Sequence, residues 1–300
     1  MSFVSRIVRI QSPSYKLSDG EKSNDPSLLA VERLNIAPQT ETQFISPPRA
    51  SGLHNACMRQ LVLGVQNKIR KKDFLSNGDL VTYGIGRAMH TWVQNSNDVL
   101  GKRRRGYWRC LACGAIRQFG APPTTKCPKC GANPEASLYH EFFGKITKPF
   151  YIQGHPDMFL EVAPGIIRVV EIKSMAGAQF DTLRSPLAQH EWQVLSYLLV
   201  LQYDRKLPVK VDSKLGYVLY ISKKQAGKGK LPYKMFAVKR NPATMAVVKG
   251  KLLEYKTGIE GGPLPKVKNS CFKSNFSNYE SKFCPVRKLC LEAGGNATDG

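Results

Sequence analysis

Asp157, Glu171 and Lys173 have the residue types and the spacing that hydrolysis of a phosphodiester requires. Carboxylate oxygens are hard ligands that hold Mg²⁺ or Mn²⁺, and an ammonium group beside them can orient an attacking water or help to deprotonate it. Glu171 and Lys173 are two residues apart, so in a β-strand their side chains project from the same face. An E-x-K triplet is also compatible with a simple surface ion pair. The surrounding elements must therefore decide between these interpretations.

The sequence around these residues predicts a β-hairpin. Residues 150–174 are rich in β-branched and aromatic side chains, and Ala163-Pro164-Gly165 interrupts them as a tight turn between two antiparallel strands. Simple register across that turn places Asp157 opposite Ile172, within one residue. The two carboxylates and the ammonium group are then expected at the same end of the sheet.

Other segments predict the elements that surround the hairpin. Their periodicity predicts helices within 51–95 and at 186–203 and 241–257, and strands at 214–224 and 233–240. A basic loop is expected at residues 68–72. Residues 1 to about 45 are polar and mixed, which predicts a flexible arm, and the last ten residues are expected to be disordered.

Three further motifs accompany the E-x-K strand. His90 lies in what is interpreted as a Gly-rich helix start, YGIGRAMH, and Gly154-His155-Pro156-Asp157 supplies the first acid. Gln193 and Tyr197 are four residues apart on the next predicted helix, so they share one face. In this order the motifs resemble those of the RecB-type PD-(D/E)XK exonucleases, in particular the iron–sulfur branch that includes CRISPR-adaptation exonucleases and the AddB nuclease domain. The resemblance runs over residues 51–290.

The resemblance implies a role for each of these residues. The implied ligands of Mg²⁺ or Mn²⁺ are His90, Asp157, Glu171 and, through its main-chain carbonyl, Ile172. Lys173 would act on the attacking water, and Gln193 and Tyr197 would steady the lysine and the DNA backbone. The implied activity is metal-dependent cleavage of DNA, with single-stranded ends as the substrate. Exonuclease or endonuclease mode and the polarity of cleavage stay open.

The composition favours a polyanionic partner. Lys and Arg number 45 against 22 Asp and Glu, a formal charge of +23, which raises the local concentration of nucleic acid. An acidic protein or a membrane surface is the alternative on charge alone. The sequence shows no signal-peptide pattern and no apolar run long enough to cross a bilayer. A cytoplasmic location is therefore expected, in the host cytoplasm if the chain comes from a phage.

Basic and aromatic side chains are candidates for contacting a DNA strand. The basic residues expected along its path are Lys68, Arg70, Lys71, Lys72, Arg103, Arg104, Arg105, Lys223, Lys224, Lys228 and Lys230. Tyr107 and Trp108, beside the arginine run, either stack on bases or pack the base of a cysteine ribbon.

Four of the eight cysteines form two knuckles. In a reducing compartment metal ligation is favoured over disulfides, and the pairs Cys110–Cys113 and Cys127–Cys130 predict one tetrahedral Zn²⁺ site. Gly114 and Gly131 follow the knuckles and permit the turn that faces main-chain amides toward the sulfurs. Because four thiolates leave no open position for water, the predicted zinc is structural or serves to dock a strand or a partner.

The other four cysteines are split between the two ends of the chain: Cys57, Cys271, Cys284 and Cys290. This spacing suits a clasp that ties the ends across the core, and four thiolates are the usual ligands of a [4Fe–4S] cluster. The iron–sulfur nucleases have one early and three late cysteines, and Cys284-x5-Cys290 matches their late pair. Twelve residues separate Cys271 from Cys284 where the family usually has two, which leaves Cys271 the least secure ligand. Zinc and free structural thiols remain alternatives.

The resemblance implies an α/β fold with a restriction-endonuclease-like PD-(D/E)XK core, in which helices flank a mixed central sheet. The expected parts are an arm at 1–45, a helical part at 46–105, an inserted zinc ribbon at 106–133, the nuclease core at 134–265, and a cysteine clasp with a tail at 266–300. Two other functions remain open. They are a non-cutting nucleic-acid adaptor and a replication- or transcription-associated scaffold that uses the ribbon. The nuclease interpretation is compatible with a role in DNA repair, in recombination or in a phage.

Overall fold

The computed structural model describes residues 39–75, 77–96, 100–204, 206–224 and 232–294. Its strands are β1 (Gln39–Phe44), β2 (Arg70–Leu75), β3 (Arg104–Cys110), β4 (Ile116–Gly120), β5 (Ser137–His140), β6 (Gly144–Ile146), β7 (Ile152–Gly154), β8 (Met158–Ala163), β9 (Ile166–Met175), β10 (Lys210–Val211), β11 (Leu215–Ser222) and β12 (Tyr233–Lys239). Its α-helices are α1 (Met58–Gln66), α2 (Asn77–Asn95), α3 (Gly177–Thr182), α4 (Ala188–Tyr203), α5 (Pro242–Ile259), α6 (Asn269–Lys273), α7 (Tyr279–Lys282) and α8 (Arg287–Glu292). Within the described ranges, none of these helices has the length and apolar character needed to span a membrane.

A mixed sheet of eight strands lies at the centre of the described chain. Its main order is β12-β11-β9-β8-β3-β4, while β10 pairs with β9 and β5 pairs with β3. β9 runs parallel to β11 and β10, whereas the β8–β9 and β11–β12 pairs are antiparallel. The predicted α/β fold with a mixed central sheet flanked by helices is therefore confirmed.

β9 is buried on both faces because helices cover the sheet on each side. Ile167 and Val169 pack into the larger apolar core with residues of α4. Val170 and Ile172 pack into a second core that includes the C-terminal part of α2. Burial on both faces explains why this strand is a nearly continuous apolar run. Alternation along the strand places Glu171 on the side of α4.

The predicted hairpin is present as β8 and β9, with a register that is shifted by a bulge. Met158 pairs with Val170, because an irregularity near the C-terminal end of β8 adds one residue to that strand. Extending this register by one position places Asp157 level with Glu171 rather than with Ile172. The shift is within the one residue allowed by the prediction, and it brings the two acidic residues opposite each other.

Four other predicted elements are present with small changes at their ends. The helices predicted at 186–203 and 241–257 correspond to α4 and α5, and the strands predicted at 214–224 and 233–240 correspond to β11 and β12. The side chain of Asn241 caps α5 by accepting hydrogen bonds from two backbone N–H groups of its first turn. Residues 225–231, which include Lys228 and Lys230, lie outside the described residues.

The N-terminal third differs from the prediction in two places. The basic loop expected at 68–72 contributes to β2, which pairs with β1 at the end of the predicted arm, so tertiary pairing overrides local composition here. His90, expected at a helix start, lies well inside α2, which begins at Asn77 and continues through both glycines of the motif. Contacts of α2 with β9 offset the low helix propensity of glycine. Residues 1–38 and 295–300, where a flexible arm and a disordered tail are predicted, lie outside the described residues.

The cysteine ribbon is continuous with the central sheet. The first two residues of β3 pair with β8, and the rest of β3 pairs with β4 and β5. Trp108 is 3% exposed and packs edge-on against Tyr139, with ring centroids 5.5 Å apart. Tyr107 packs in the same way against Phe119 at 5.4 Å. These aromatic residues pack the base of the ribbon, so stacking of Trp108 on bases is excluded by its burial.

The arginine run before the ribbon is largely structural. Arg104 is fully buried, and its guanidinium donates hydrogen bonds to the carbonyl oxygens of Gln94 and Gly101. Arg105 forms an ion pair with Glu161. The expectation that all three arginines line a DNA strand is therefore wrong for Arg104, because a buried guanidinium has no surface to offer.

Candidate active site and cysteine centres

The residues predicted to act on a phosphodiester line one cleft of about 660 Å³. The predicted residues in it are His90, Asp157, Glu171, Lys173, Gln193 and Tyr197. Helix α2 supplies the histidine, the segment before β8 the aspartate, β9 the Glu/Lys pair, and α4 the Gln/Tyr pair. Motifs that are far apart in the chain thus meet in one place.

Asp157 is held by two contacts at the end of the hairpin. Its Oδ2 accepts a hydrogen bond of 2.6 Å from the backbone N–H of Ile172. Its Oδ1 lies 3.5 Å from Nδ1 of His90. One carboxylate oxygen is therefore fixed by the strand, and the other faces the histidine in the cleft.

Glu171 is a buried carboxylate whose hydrogen bonding is incomplete. Its side chain is 1% exposed, and its Oε1 lies 2.6 Å from Nζ of Lys173. Its Oε2 makes no hydrogen bond of ordinary geometry, although the Tyr197 hydroxyl is near enough to the carboxylate to lower its pKa in part. Burial first, and the neighbouring Asp157 second, raise the pKa of this carboxyl well above its usual range. A buried oxygen without a hydrogen bond of ordinary geometry is costly, and a bound cation would remove that cost.

Lys173 is the positively charged partner of these acids. Burial alone would lower its pKa, but the carboxylates of Glu171 and Asp157 more than offset burial, so the pKa lies above the usual range. The amine is therefore protonated at neutral pH in this arrangement. A cation bound to the two carboxylates would compete with Lys173 for them and lower its pKa, which would suit a role in proton transfer.

Gln193 and Tyr197 form a chain of hydrogen bonds to the backbone that precedes Asp157. The Gln193 amide donates to the Tyr197 hydroxyl at 2.7 Å, and that hydroxyl donates to the carbonyl oxygen of His155 at 2.9 Å. The two side chains are 4% and 2% exposed, which leaves almost no surface for a DNA backbone, so that part of the predicted role is not supported. Gly154 is required beside them, because a Cβ there would lie 2.7 Å from the Tyr197 ring.

Glu141 is a site residue that the sequence analysis missed. It lies in the loop between β5 and β6 and lines the same cleft. Burial raises the pKa of this carboxyl, and its Oε1 accepts a hydrogen bond of 3.0 Å from the Gln94 amide. No motif marks Glu141, because its place in the cleft depends on the pairing of β5 with β3.

A second cleft of about 480 Å³ adjoins the first and shares His90, Glu141 and Lys173 with it. Tyr83, Arg87 and Lys223 also line it. Of the basic residues in the predicted strand path, Lys223 borders this cleft, whereas neither cleft is bordered by Lys68, Arg70, Lys71, Arg103, Arg104, Arg105 or Lys224. The side chain of Lys72 lies outside the described residues.

The four ribbon cysteines form a group that could hold a metal ion. Within the described residues, the group of potential metal ligands whose atoms all lie within 4.8 Å of one another consists of Cys110, Cys113, Cys127 and Cys130. The Cys110–Cys130 and Cys113–Cys127 sulfur pairs are 3.7 and 3.8 Å apart. Backbone N–H groups of Lys129 and Cys130 lower the pKa of the Cys127 thiol to about 6, which favours the thiolate.

The two knuckles have the same backbone geometry. The N–H of Gly114 donates to the carbonyl of Cys110, and the N–H of Gly131 donates to that of Cys127, each at 2.8 Å. The two glycines have φ values of 71° and 72°, in the left-handed region that residues with a Cβ disfavour. Their predicted function in the knuckles is confirmed.

The split quartet also comes together in space. Cys57, Cys271, Cys284 and Cys290 line one small cavity of about 30 Å³ between α1 and the C-terminal helices. Burial raises the pKa of the Cys57 and Cys284 thiols. Arg59 adds a link between the two ends of the chain, since its guanidinium donates to the carbonyl oxygens of Pro265 and Cys290 at 3.2 and 3.4 Å. The sulfurs of the quartet are not as closely grouped as those of the ribbon.

The predicted ligands of Mg²⁺ or Mn²⁺ line the same cleft, but their ligand atoms do not surround a single position. The ligand atoms of His90, Asp157 and Glu171 do not form a group within 4.8 Å of one another. Lys173 pairs with Glu171 Oε1 instead. The arrangement is that of an open polar cleft with two buried acids, Asp157 and Glu171, and side-chain movement is needed before a single ion contacts all three residues.

No protein-family model matches this chain, and no curated protein is similar enough to match it. Among solved structures, that of the protein SSO0001 aligns with 51% of this chain at 18% sequence identity and a TM-score of 0.25. The chain spans 58% of that protein's length. A likeness at this level carries no argument about fold or function.

Proposed function

We propose that this chain is a metal-dependent DNA nuclease with a PD-(D/E)XK core. The observation that carries the proposal is the buried Glu171, whose Oε2 makes no hydrogen bond of ordinary geometry and which lies with Asp157 and Lys173 in one cleft. A surface ion pair would not require burial of the acid or convergence with a second carboxylate. Both features suit a site that binds a cation and acts on water.

The donor set of the cleft suits Mg²⁺ or Mn²⁺. Carboxylate oxygens predominate, with His90 as the nitrogen donor, and hard divalent ions prefer such ligands. His90, Asp157, Glu171 and the main-chain carbonyl of Ile172 would hold the ion. When bound, it would supply an activated water and neutralise charge on the phosphate. Lys173 would hold or move the proton of the attacking water, and Tyr197 would keep the preceding backbone in place.

Single-stranded DNA is the substrate that the surroundings of the cleft favour. Basic side chains line the clefts, Arg49 in the first and Arg87 and Lys223 in the second. The exposed rings of Phe143 and Tyr83 line the same two clefts. Phosphates contact the cations and unpaired bases stack on the aromatic faces in proteins that bind single strands. An exonuclease that receives a strand end along the two joined clefts fits this arrangement.

We assign zinc to the ribbon. A tetrahedral Zn²⁺ with Zn–S bonds of about 2.3 Å separates its sulfurs by about 3.8 Å. The observed pairs at 3.7 and 3.8 Å have this spacing. Four thiolates complete the coordination, so the ion would stabilise the ribbon and take no part in hydrolysis.

We assign a [4Fe–4S] cluster to the quartet of Cys57, Cys271, Cys284 and Cys290. Each thiolate of such a cluster binds a different iron, so its sulfurs are farther apart than around one zinc ion. The four thiols line one cavity and do not group within 4.8 Å, which suits a centre wider than a single zinc ion. The cavity of about 30 Å³ is smaller than the cluster core, so the thiols would move apart to hold it. Its contribution would be to join the two ends of the described chain.

Digestion of end-labelled DNA tests the proposed activity. Purified protein is incubated with single- and double-stranded DNA in Mg²⁺, Mn²⁺ or EDTA, and we expect cleavage of the single strand that EDTA abolishes. Shortening from one labelled end would identify an exonuclease and its polarity. Binding without any cleavage in either metal would contradict the proposal and favour the non-cutting adaptor.

A further inference from the structure

Two adjoining depressions lie at the end of the sheet where β9 begins. The β8–β9 turn, the start of β9 and residues 210–214 form one of about 410 Å³. Arg240 and the first two turns of α5 form the other, of about 490 Å³. Lys214 lines both, and we refer to them together as the Lys214 groove. Lys173 of the proposed catalytic set lies farther along β9 than Arg168, roughly 17 Å away at about 3.3 Å per residue.

Positive side chains predominate in the Lys214 groove. Its basic residues are Arg168, Lys210, Lys214, Arg240 and Lys249. Within the described residues, none of the three lysines forms an ion pair with a carboxylate. The main-chain N–H of Arg240 donates to the carbonyl oxygen of Lys214 at 2.8 Å, so two of the cations lie on neighbouring backbone segments. Like charges gathered in this way repel one another, and a bound polyanion would offset that repulsion.

Asp212, the acid among the described residues that line the groove, is already paired. Its Oδ2 accepts a hydrogen bond of 2.8 Å from Nε of Arg168, and its Oδ1 accepts one of 2.9 Å from the backbone N–H of Lys214. Arg168 also donates to the Tyr217 hydroxyl at 2.7 Å. These bonds hold the turn that carries Lys214 and offset the charge of Asp212. The groove therefore presents a fixed, positively charged surface.

The side chains of the groove indicate which part of a DNA molecule it suits. Within the described residues, its lining includes no aromatic ring, whereas the exposed rings of Phe143 and Tyr83 line the two clefts of the proposed active site. Unpaired bases stack on such rings, while a duplex hides its bases and presents a dense row of phosphates. One helical turn of duplex, about 34 Å, is longer than the distance along β9 between the groove and Lys173. A single DNA molecule can therefore contact both places.

We propose that the Lys214 groove binds the phosphate backbone of double-stranded DNA, as a surface separate from the clefts that line the proposed active site. DNA with a single-stranded end is held at the groove through its paired part while the unpaired end enters the clefts. The inference goes beyond the proposed cleavage, because binding of the duplex at this surface requires neither a divalent ion nor Lys173.

Fluorescence anisotropy with full-length protein in EDTA tests the groove without cleavage. The probes are a labelled blunt duplex and a labelled single strand. Lys214→Ala combined with Lys249→Ala should weaken duplex binding several-fold. The slope of log affinity against log salt should fall by about 1.8, because each lost phosphate contact on a duplex contributes about 0.9. Binding of the single strand should weaken much less, since its bases contact the aromatic rings of the clefts.

The control removes the same charge elsewhere on the surface. Lys145→Ala combined with Lys273→Ala alters two exposed lysines that line neither the groove nor the two clefts, and it should keep the wild-type slope. Lys214→Glu alters one exposed side chain and should weaken duplex binding without any change in Tm, which separates the loss of contact from a loss of folding. Thermal unfolding and zinc content verify the fold of every variant.

Three results would overturn the inference. They are equal salt slopes for the groove variant and the control, an equal loss of affinity for the single strand and the duplex, and displacement of a labelled acidic peptide from the groove by polyglutamate but not by duplex DNA. The last of these would identify an acidic protein as the occupant.

The outcomes also distinguish this inference from the proposed function. A protein that cleaves single strands in Mg²⁺, and whose groove variant binds duplex as the control does, is a nuclease without this second surface. A protein that loses duplex affinity with the groove substitutions but cleaves nothing in Mg²⁺ or Mn²⁺ retains the groove and refutes the nuclease proposal.

Discussion

The ribbon and the acidic cleft are both candidate metal sites, but they differ in how closely their candidate ligand atoms are grouped. The ribbon sulfurs already lie 3.7 and 3.8 Å apart, and two short knuckles with the same backbone hydrogen bonds set that spacing. The candidate ligands of the cleft lie on α2, in the segment before β8 and on β9. Their ligand atoms do not converge within 4.8 Å.

The difference follows from what each site is proposed to do. A structural ion is fully enclosed by its ligands, so closely spaced thiolates on local turns suffice. A hydrolytic site must admit water and a phosphate, so its ligands stay apart and are held by contacts with the core. We therefore expect the ribbon to keep its metal when the cleft is altered, and the cleft to depend on distant packing.

The largest expected effect comes from Glu171→Gln. The variant keeps the shape of the buried side chain but removes the charge that a cation requires, so cleavage should fall on the order of 10³-fold. Zinc content should stay at one per chain because the ribbon is independent of the cleft. The exposed Glu254→Gln is the control, with unchanged cleavage expected. Mg²⁺-dependent cleavage at the wild-type rate in Glu171→Gln would contradict the assigned site.

The next effect distinguishes the two cysteine centres. Protein purified without oxygen should be brown, with about four iron and four sulfide per chain and one zinc. Cys57→Ala should bleach the colour and destabilise the fold by about 3 kcal/mol, since it opens a link between the two ends of the chain. For a protein of this size that corresponds to a decrease in Tm of roughly 6–12 °C.

Cys110→Ala is the matched variant in the ribbon. It should release zinc, keep the brown colour and cost less stability, because its ligands are local. Metal analysis and thermal unfolding of the two variants provide the comparison. Two zinc ions and no iron in the wild-type protein would refute the iron–sulfur assignment and leave the nuclease proposal intact.

A smaller effect is expected from Gly154→Ala. The added methyl group would lie 2.7 Å from the Tyr197 ring and 3.0 Å from the Cβ of Ala50, so the segment that carries Asp157 must shift. We expect a loss of about 1–3 kcal/mol in stability and weaker cleavage. Gly52→Ala meets no atom within 4 Å and serves as the control. Equal thermal stability of the two variants would show that this contact does not position the acid.

The smallest effect concerns the path of the DNA strand. Lys223→Ala should weaken binding of single-stranded DNA several-fold and reduce the slope of log affinity against log salt by about 0.7, the value for one phosphate contact on a single strand. Lys224→Ala is the matched control, because Lys224 borders neither cleft and lies 3.5 Å from Asp181. Fluorescence anisotropy over a range of salt concentrations measures both. Identical slopes for the two variants would place the strand elsewhere.

Local patterns predicted the elements of the site well. The turn at Pro164, the apolar run of β9 and the periodicity of α4 come from residues that are neighbours in the chain, and all three elements are present. The sequence could not reveal the bulge in β8 or the pairing of residues 70–72 in β2, because both depend on a partner strand. The burial of Trp108 and Arg104 could not be predicted from the sequence either, because it depends on tertiary packing.

The sequence by itself determined which atoms are available as ligands and which of them are held locally. Spacing alone predicts the cysteine knuckles, because the same short spacing gives each cysteine pair the same local turn. The spacing of two residues in the E-x-K strand likewise places both side chains on one face. Only the tertiary structure decided that Glu171 Oε2 is buried without a hydrogen bond of ordinary geometry, that Gln94 joins Glu141 to Asp157, and that the split cysteines share a cavity. Distances between remote segments depend on how all the intervening elements pack, and a linear pattern does not contain that information.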